Sequence, residues 1–347
     1  MNNTLNIKKV ITILALALTT SVTFAQDTPL EISGSGDLYY KYDFSEASQL
    51  GTSFATDQNS VSLGMIDIVL KKKTGKTSFV GEVSFGPRGA QQSIPDSDGT
   101  YGNVSNSFHI QNLYAAYVAS DKLTLTAGYM STFIGYEVIS PLANLNYSTS
   151  YLFTNGPFQN AGVKANYAIS SKVGLMFGLF NDQWNTYQAD DKLGLNATGA
   201  QLTLTPSKSF TAYVNYLSGS ASGTIVDLTA TYQISEKFKL GMNVADFSGV
   251  GDDTGYTGFA FYPSYSVSSN FSLGLRAENF KGKKNAITYS NVAADESVTA
   301  ITLSANFKSG GLTFIPEFRM DSGSAKMFEG ATEKSASQVS MAVVYGF

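Results

Sequence analysis

Almost from end to end the chain alternates apolar and polar side chains with a period of two, and after residue 25 no stretch holds a helical period. In Leu38-Tyr39-Tyr40-Lys41-Tyr42-Asp43-Phe44 the even positions are apolar or aromatic, with Lys41 and Asp43 between them. Val173, Leu175, Phe177 and Leu179 share one face, as do Phe210, Ala212, Val214 and Tyr216. Leu312, Phe314, Pro316, Phe318 and Met320 face away from Thr313, Glu317 and Arg319, and Val339, Met341, Val343, Tyr345 and Phe347 close the series. Successive strand side chains point to opposite faces, so this pattern predicts sheet with one greasy and one polar surface.

The punctuation between these runs predicts how the strands connect. Tyr117, Tyr167, Tyr232 and Tyr265 each stand three residues before a Ser-led tight turn, at Ser120, Ser170, Ser235 and Ser268. Leu123, Val173, Phe238 and Phe271 follow those serines by three, so aromatic and aliphatic residues should form a band at one rim. Lys73-Thr74-Gly75-Lys76, Pro206-Ser207-Lys208 and Ser309-Gly310-Gly311 complete seven short turns. Longer polar connections, such as 86–104, 181–196, 248–255, 281–296 and 321–336, lie between them. Short turns on one side and long loops on the other describe an all-β, antiparallel up-and-down transmembrane barrel of about 16 strands. A soluble β-sandwich is the competing fold, but it needs neither so many strands nor a tyrosine at a fixed offset from each turn.

Composition agrees. Only 14% of residues are charged and 13% are aromatic, 20 Tyr and 23 Phe with a single Trp. With 23 Lys+Arg against 27 Asp+Glu, and no basic block, nucleic acid is excluded as a partner. Cys is 0 and His is 1, which removes thiol chemistry, disulfides, Cys-zinc sites and multi-histidine metal centres. No cofactor is expected. Lys8-Lys9, the short apolar run Val10 to Leu18 and Thr23-Phe24-Ala25 read as an export signal cleaved between Ala25 and Gln26. The expected organisation is therefore a signal peptide over 1–25 and one barrel over 26–347.

Three motifs add a family likeness. Phe85-Gly-Pro-Arg-Gly89 closing a strand, Gly135-Tyr-Glu-Val138 and the run Asn146 to Phe158 (NYSTSYLFTNGPF) resemble the OmpL-like β-barrel porin family of Gram-negative outer membranes. The resemblance implies an outer-membrane diffusion channel for small hydrophilic solutes or ions, without enzymatic activity, and open to assembly as a homo-oligomer. Its surroundings would be outer-membrane lipid and lipopolysaccharide. Tyr345 and the terminal Phe347 are similar to the signal such barrels present to their insertion machinery. A closed-lumen barrel with an adhesive or structural role is the alternative.

The polar face supplies the candidate pore-lining residues: Lys41, Glu82, Lys164, Asp227, Lys239, Arg276, Glu278, Glu317 and Arg319, with Asp37 and Asp43 beside them. Arg276/Glu278 and Glu317/Arg319 read as opposite-charge pairs on a wet wall. The longest connection, 131–158, is unusually apolar for a solvent-facing loop and should bury itself in the lumen as a constriction. Glu137 on that loop and Arg88 from the preceding one are its candidate ion pair. His109 is the only imidazole, too little for a hydrolase site. Asp96-Ser-Asp98-Gly99, Asp190-Asp191, Asp252-Asp253 and Asp295-Glu296 complete no Ca²⁺ loop but leave the long loops acidic, which predicts a weak preference for cations.

Overall fold

The computed structural model describes residues 28–90 and 108–347. The signal-peptide reading, with Ala25 and Gln26, and the Asp96–Gly99 motif lie outside the described residues. Among those described, sixteen strands follow one another in order: β1 (Glu31–Asp43), β2 (Val61–Thr74), β3 (Thr77–Phe85), β4 (Phe108–Ser120), β5 (Leu123–Ser131), β6 (Gln159–Ala168), β7 (Val173–Phe180) and β8 (Ala197–Ser207). The second half comprises β9 (Phe210–Gly219), β10 (Gly223–Gln233), β11 (Phe238–Ser248), β12 (Tyr256–Ser268), β13 (Phe271–Gly282), β14 (Ser297–Ser309), β15 (Leu312–Gly323) and β16 (Ser335–Gly346).

Each strand pairs antiparallel with its sequence neighbours, and β1 pairs with β16 from Ser35↔Gly346 to Asp43↔Gln338, so the sheet is a closed barrel. The chain end belongs to that seam: Phe347 and Gly34 exchange both backbone hydrogen bonds at 3.1 Å. Closure leaves no unpaired strand edge, the condition for sheet in hydrocarbon. The outer face is apolar, with Leu63 68% exposed, Phe177 59% and Leu303 51%. At the turn side Tyr232 pairs across the strands with Phe210, Tyr265 with Phe238 and Tyr167 with Leu123, which places the expected band on the outer face.

All seven short turns fall on one side. The other side is not uniformly long-looped: β9 and β10 are joined by residues 220–222 alone. Asp182, from the β7–β8 connection, holds that link by accepting from Ser220 Oγ at 2.8 Å, Ala221 N at 3.0 Å and Ser222 N at 2.9 Å. Burial would raise the Asp182 pKa, but these donors outweigh it and the pKa is lowered. A lowered carboxylate pKa gives stability that is present above the unfolded value and lost as pH falls through the folded one. The Ala221 and Ser222 amides should therefore stay protected from hydrogen exchange at pH 5, and Asp182→Asn should expose them there. Equal exchange in both proteins would remove Asp182 from this role.

The alternation also carries a graded prediction. Leu228, midway along β10 and facing outward beside Val214 and Val244, would place an arginine near the bilayer midplane at a cost of ~2–4 kcal/mol. Tyr232, at the turn-side end of the same face, should accept arginine at ~0–1 kcal/mol. Urea titration of the two refolded variants measures the difference. Equal losses would mean that the faces are reversed or that the strand sits elsewhere in the bilayer.

Candidate functional site

Residues 132–158 leave β5 and return to β6 with their ends tied together, Thr132 N donating to Phe158 O at 2.9 Å. Between these ends the segment reaches partners on strands far apart around the barrel. Gly135 N donates to Asp227 on β10 at 3.1 Å. Tyr147 N and Ser148 N donate to Glu317 on β15 at 2.8 and 3.1 Å, and Tyr151 N and Leu152 N to Glu278 on β13 at 3.0 and 2.8 Å. The Tyr147 hydroxyl reaches Asp37 on β1 at 2.6 Å. One segment can touch β1, β10, β13 and β15 only from inside, so it crosses the lumen.

Its fastening is chiefly carboxylate to backbone amide. The first turn of the short helix Tyr151–Asn155 has unsatisfied N–H groups; Glu278 takes two, and the N-cap Ser150 accepts Phe153 N at 2.9 Å. Charge-assisted bonds of this kind are roughly twice as strong as neutral ones. Burial raises the Tyr147 and Tyr151 hydroxyl pKa values well above the ordinary value, which keeps both hydroxyls as donors, Tyr151 to Asp321 at 2.8 Å. Gly135 has φ +89, a left-handed conformation that suits glycine and turns its N–H toward Asp227.

The charged pairs differ from those expected. Glu137 pairs with Arg276 at 2.7 Å and also accepts Ser150 N at 2.7 Å. Arg88 lies 3.6 Å from Asp37 and packs over the Phe54 ring at 4.4 Å. Arg88 and Glu137 thus share the lumen but not a bond. Arg276 does not pair with Glu278, nor Arg319 with Glu317: Arg319 joins Asp321 at 2.8 Å and donates to Thr149 O at 2.9 Å. Two residues along a strand share a face, and Arg319 does take such a neighbour, Asp321 two residues on rather than Glu317 two residues back, whereas Arg276 takes its partner from the loop. The wall is not wet at this level, since Lys41, Asp227, Arg276, Glu278, Glu317 and Arg319 are each at most 3% exposed. Buried charges require such pairing and hydrogen bonding.

A second inward segment, 44–60, completes the filling on the β1 side. Lys41 Nζ donates to Ser48 Oγ at 2.7 Å and Thr56 O at 3.1 Å, and Arg319 donates to Thr52 Oγ1 at 3.0 Å. Ser53 N and Thr149 Oγ1 link the two inward segments. Open space remains along β8–β12 beside the loop and, nearest the turns, spreads round the wall from β10 to β16. A cavity of about 440 Å³ lies nearest the turns, bounded by Ser264, Ser266, Asn306, Lys308 and Lys239. A second of about 380 Å³ is bounded by Phe133, Tyr136, Gln201, Thr229, Thr231 and Tyr262, and shares Lys239 with the first. A narrower space of about 100 Å³ lies toward the long loops, against Asp227, Asn243 and Tyr256. Along β10 the two upper spaces meet between Thr229 and Asp227, where Gly135 bridges to the wall.

A barrel of sixteen strands with an inward loop displacing its lumen is the architecture of a channel, and the sequence comparisons place it. The family described as "Putative beta-barrel porin-2, OmpL-like" matches residues 29–347. The chain belongs to that family. Solved structures similar to this porin include the outer membrane channel DcaP of Acinetobacter baumannii, with TM-score 0.63, 12% identity and coverage of 94% of this chain and 100% of that one. The anion-selective porin from Comamonas acidovorans has TM-score 0.60, 12% identity and coverage of 93% and 100%. The trimer form of OmpT from Vibrio cholerae has TM-score 0.57, 12% identity and coverage of 92% and 99%. At such identity these likenesses concern the fold alone. A search of the curated proteins found no match.

The remaining sequence candidates fall on the porin's inner face. Glu82 accepts from Asn112 Nδ2 at 2.5 Å, and Lys164 and Lys239 are half-buried on β6 and β11. His109 is the second residue of β4 and is buried. Sequence reasoning missed Gly135, the 44–60 segment and Asp321, which it assigned to a loop. It also missed the inner-face glycines that receive loop side chains: a Cβ on Gly241 would fall on the Tyr136 hydroxyl, and one on Gly274 on Leu145. Leu50 and Phe54, apolar within a polar connection, were the available signal for 44–60.

Proposed function

We propose that this porin passes small hydrophilic solutes and ions by diffusion along the β8–β12 side of the lumen, with a weak preference for cations. The observation that carries the reading is the bridge at Asp227. The path narrows there, and the carboxylate accepts from Gly135 N, Asn215 and Asn243 without a cationic partner among the described residues. A fixed negative charge at the narrowest point favours cations even where salt screens the acidic mouth over ~8 Å. Around it we place the other expectations: cleavage after Ala25, insertion directed by Tyr345 and Phe347, contact with lipopolysaccharide, and a homo-oligomer, for which the trimer form of OmpT is support.

Planar-bilayer recording under a KCl gradient tests the reading. Discrete channel steps with a reversal potential on the cation side are expected, and Asp227→Asn should move that potential toward zero. Steps that are anion-selective would overturn the preference. Absence of steps would favour the closed-lumen reading, which the dry packing of 44–60 against 132–158 supports.

A further inference from the structure

We propose that the turn-side half of the lumen is a binding site for small solutes carrying one carboxylate on a flat ring, with Lys239 holding the charge and Tyr136, backed by the buried Tyr262, the ring. This rests on the porin reading only for how the solute arrives.

The inner face of β11 runs through Lys239, Gly241 and Asn243. Gly241 stands opposite Tyr262 on β12, and because it has no side chain the Tyr136 ring lies across it, stacked on Tyr262 at 4.4 Å and 20°. Lys239 is the next residue on that face, about 7 Å away at two residues of strand rise. It borders both turn-side cavities, of about 380 and 440 Å³. Each falls in the ~300–1,000 Å³ range of small-molecule sites.

Lys239 differs from the inner cations above it. Arg88, Arg276 and Arg319 each have a carboxylate, and Lys41 donates to Ser48 and Thr56. Lys239 has no ion pair or side-chain hydrogen bond with any described residue. The other charged groups lining these cavities are Lys308, Glu236 and Glu137, and Glu137 is already committed to Arg276. A half-buried ammonium beside stacked rings, with Gln201 and Thr231 as further hydrogen-bonding groups, matches an anion that also presents an aromatic face. The negative waist at Asp227 lies about 20 Å farther along the strands and does not compete for the same group.

Isothermal titration of the folded barrel in detergent with sodium benzoate tests this directly. Benzoate should bind at least tenfold more tightly than benzamide, which lacks the charge, and than acetate, which lacks the ring. Lys239→Gln should lose at least tenfold and Lys239→Arg should retain most of the affinity, with heat-dependent mobility in SDS confirming that each variant is folded. Tyr136→Leu should bring benzoate down to acetate. A wild-type barrel that binds no benzoate, or a Lys239→Gln barrel that binds it as tightly as wild type, would overturn the site. Channel steps without benzoate binding would sink this inference alone, whereas binding without steps would sink the diffusion reading and leave the site.

Discussion

Excision of residues 133–157, with a short glycine link in their place, should raise single-channel conductance severalfold. The ends of the segment are already joined by the Thr132–Phe158 hydrogen bond, so a short link spans them without moving β5 or β6. Strand hydrogen bonding is complete without the loop, because every strand is paired on both sides. A sixteen-strand barrel is wide enough for an aqueous lumen, and what narrows this one is chain folded inward. The excision also frees Asp37, Asp227, Glu278, Glu317 and Asp321 from loop donors, on an inner wall where these with Asp43 and Glu82 make seven acids against the five bases Lys41, Lys164, Lys239, Arg276 and Arg319. Cation preference should rise along with conductance. Unchanged conductance in bilayers would show that 132–158 does not limit flow.

Arg276→Met has the second large effect, on the permanence of the constriction rather than its presence. Arg276 binds Glu137 and Ser148 O from the loop and Thr302 from β14, and is fully buried. Removing one partner of a buried pair costs ~3–5 kcal/mol, because the other charge stays behind uncompensated. Here Glu137 would escape the cost by drawing its segment out of the packed position. Recordings of Arg276→Met should show open-channel noise and rapid excursions to higher conductance, and the temperature of the SDS mobility shift should fall. Adding Glu137→Gln to the same chain should recover part of the loss. A double variant as noisy as the single one would show that the pair is not what holds the loop.

The strands and the seven short turns were legible because a side chain's face follows from its parity alone, a local property that needs no partner. The same parity put Lys41, Glu278 and Arg319 on the inner face without knowledge of what fills it. It could not assign their partners. Glu278 and Glu317 bind backbone N–H groups, which every sequence carries at every position, so no residue type at 147–152 announces them. Arg276 and Glu278 share a face at two-residue spacing, yet the pair that forms, Arg276 with Glu137, spans 139 residues. The 220–222 link was hidden for another reason: the carboxylate that fastens it, Asp182, stands some forty residues earlier.

That the segment is fastened largely through its main chain has a consequence for how such a channel diversifies. Glu278 and Glu317 hold the amides of residues 147, 148, 151 and 152 whatever side chains those positions carry, tyrosine hydroxyls aside. Residues such as Phe133, Tyr136 and Leu145, which face the cavities, are free to change without loosening those clasps. Single substitutions there should therefore reshape the cavities while the segment stays clasped to the wall.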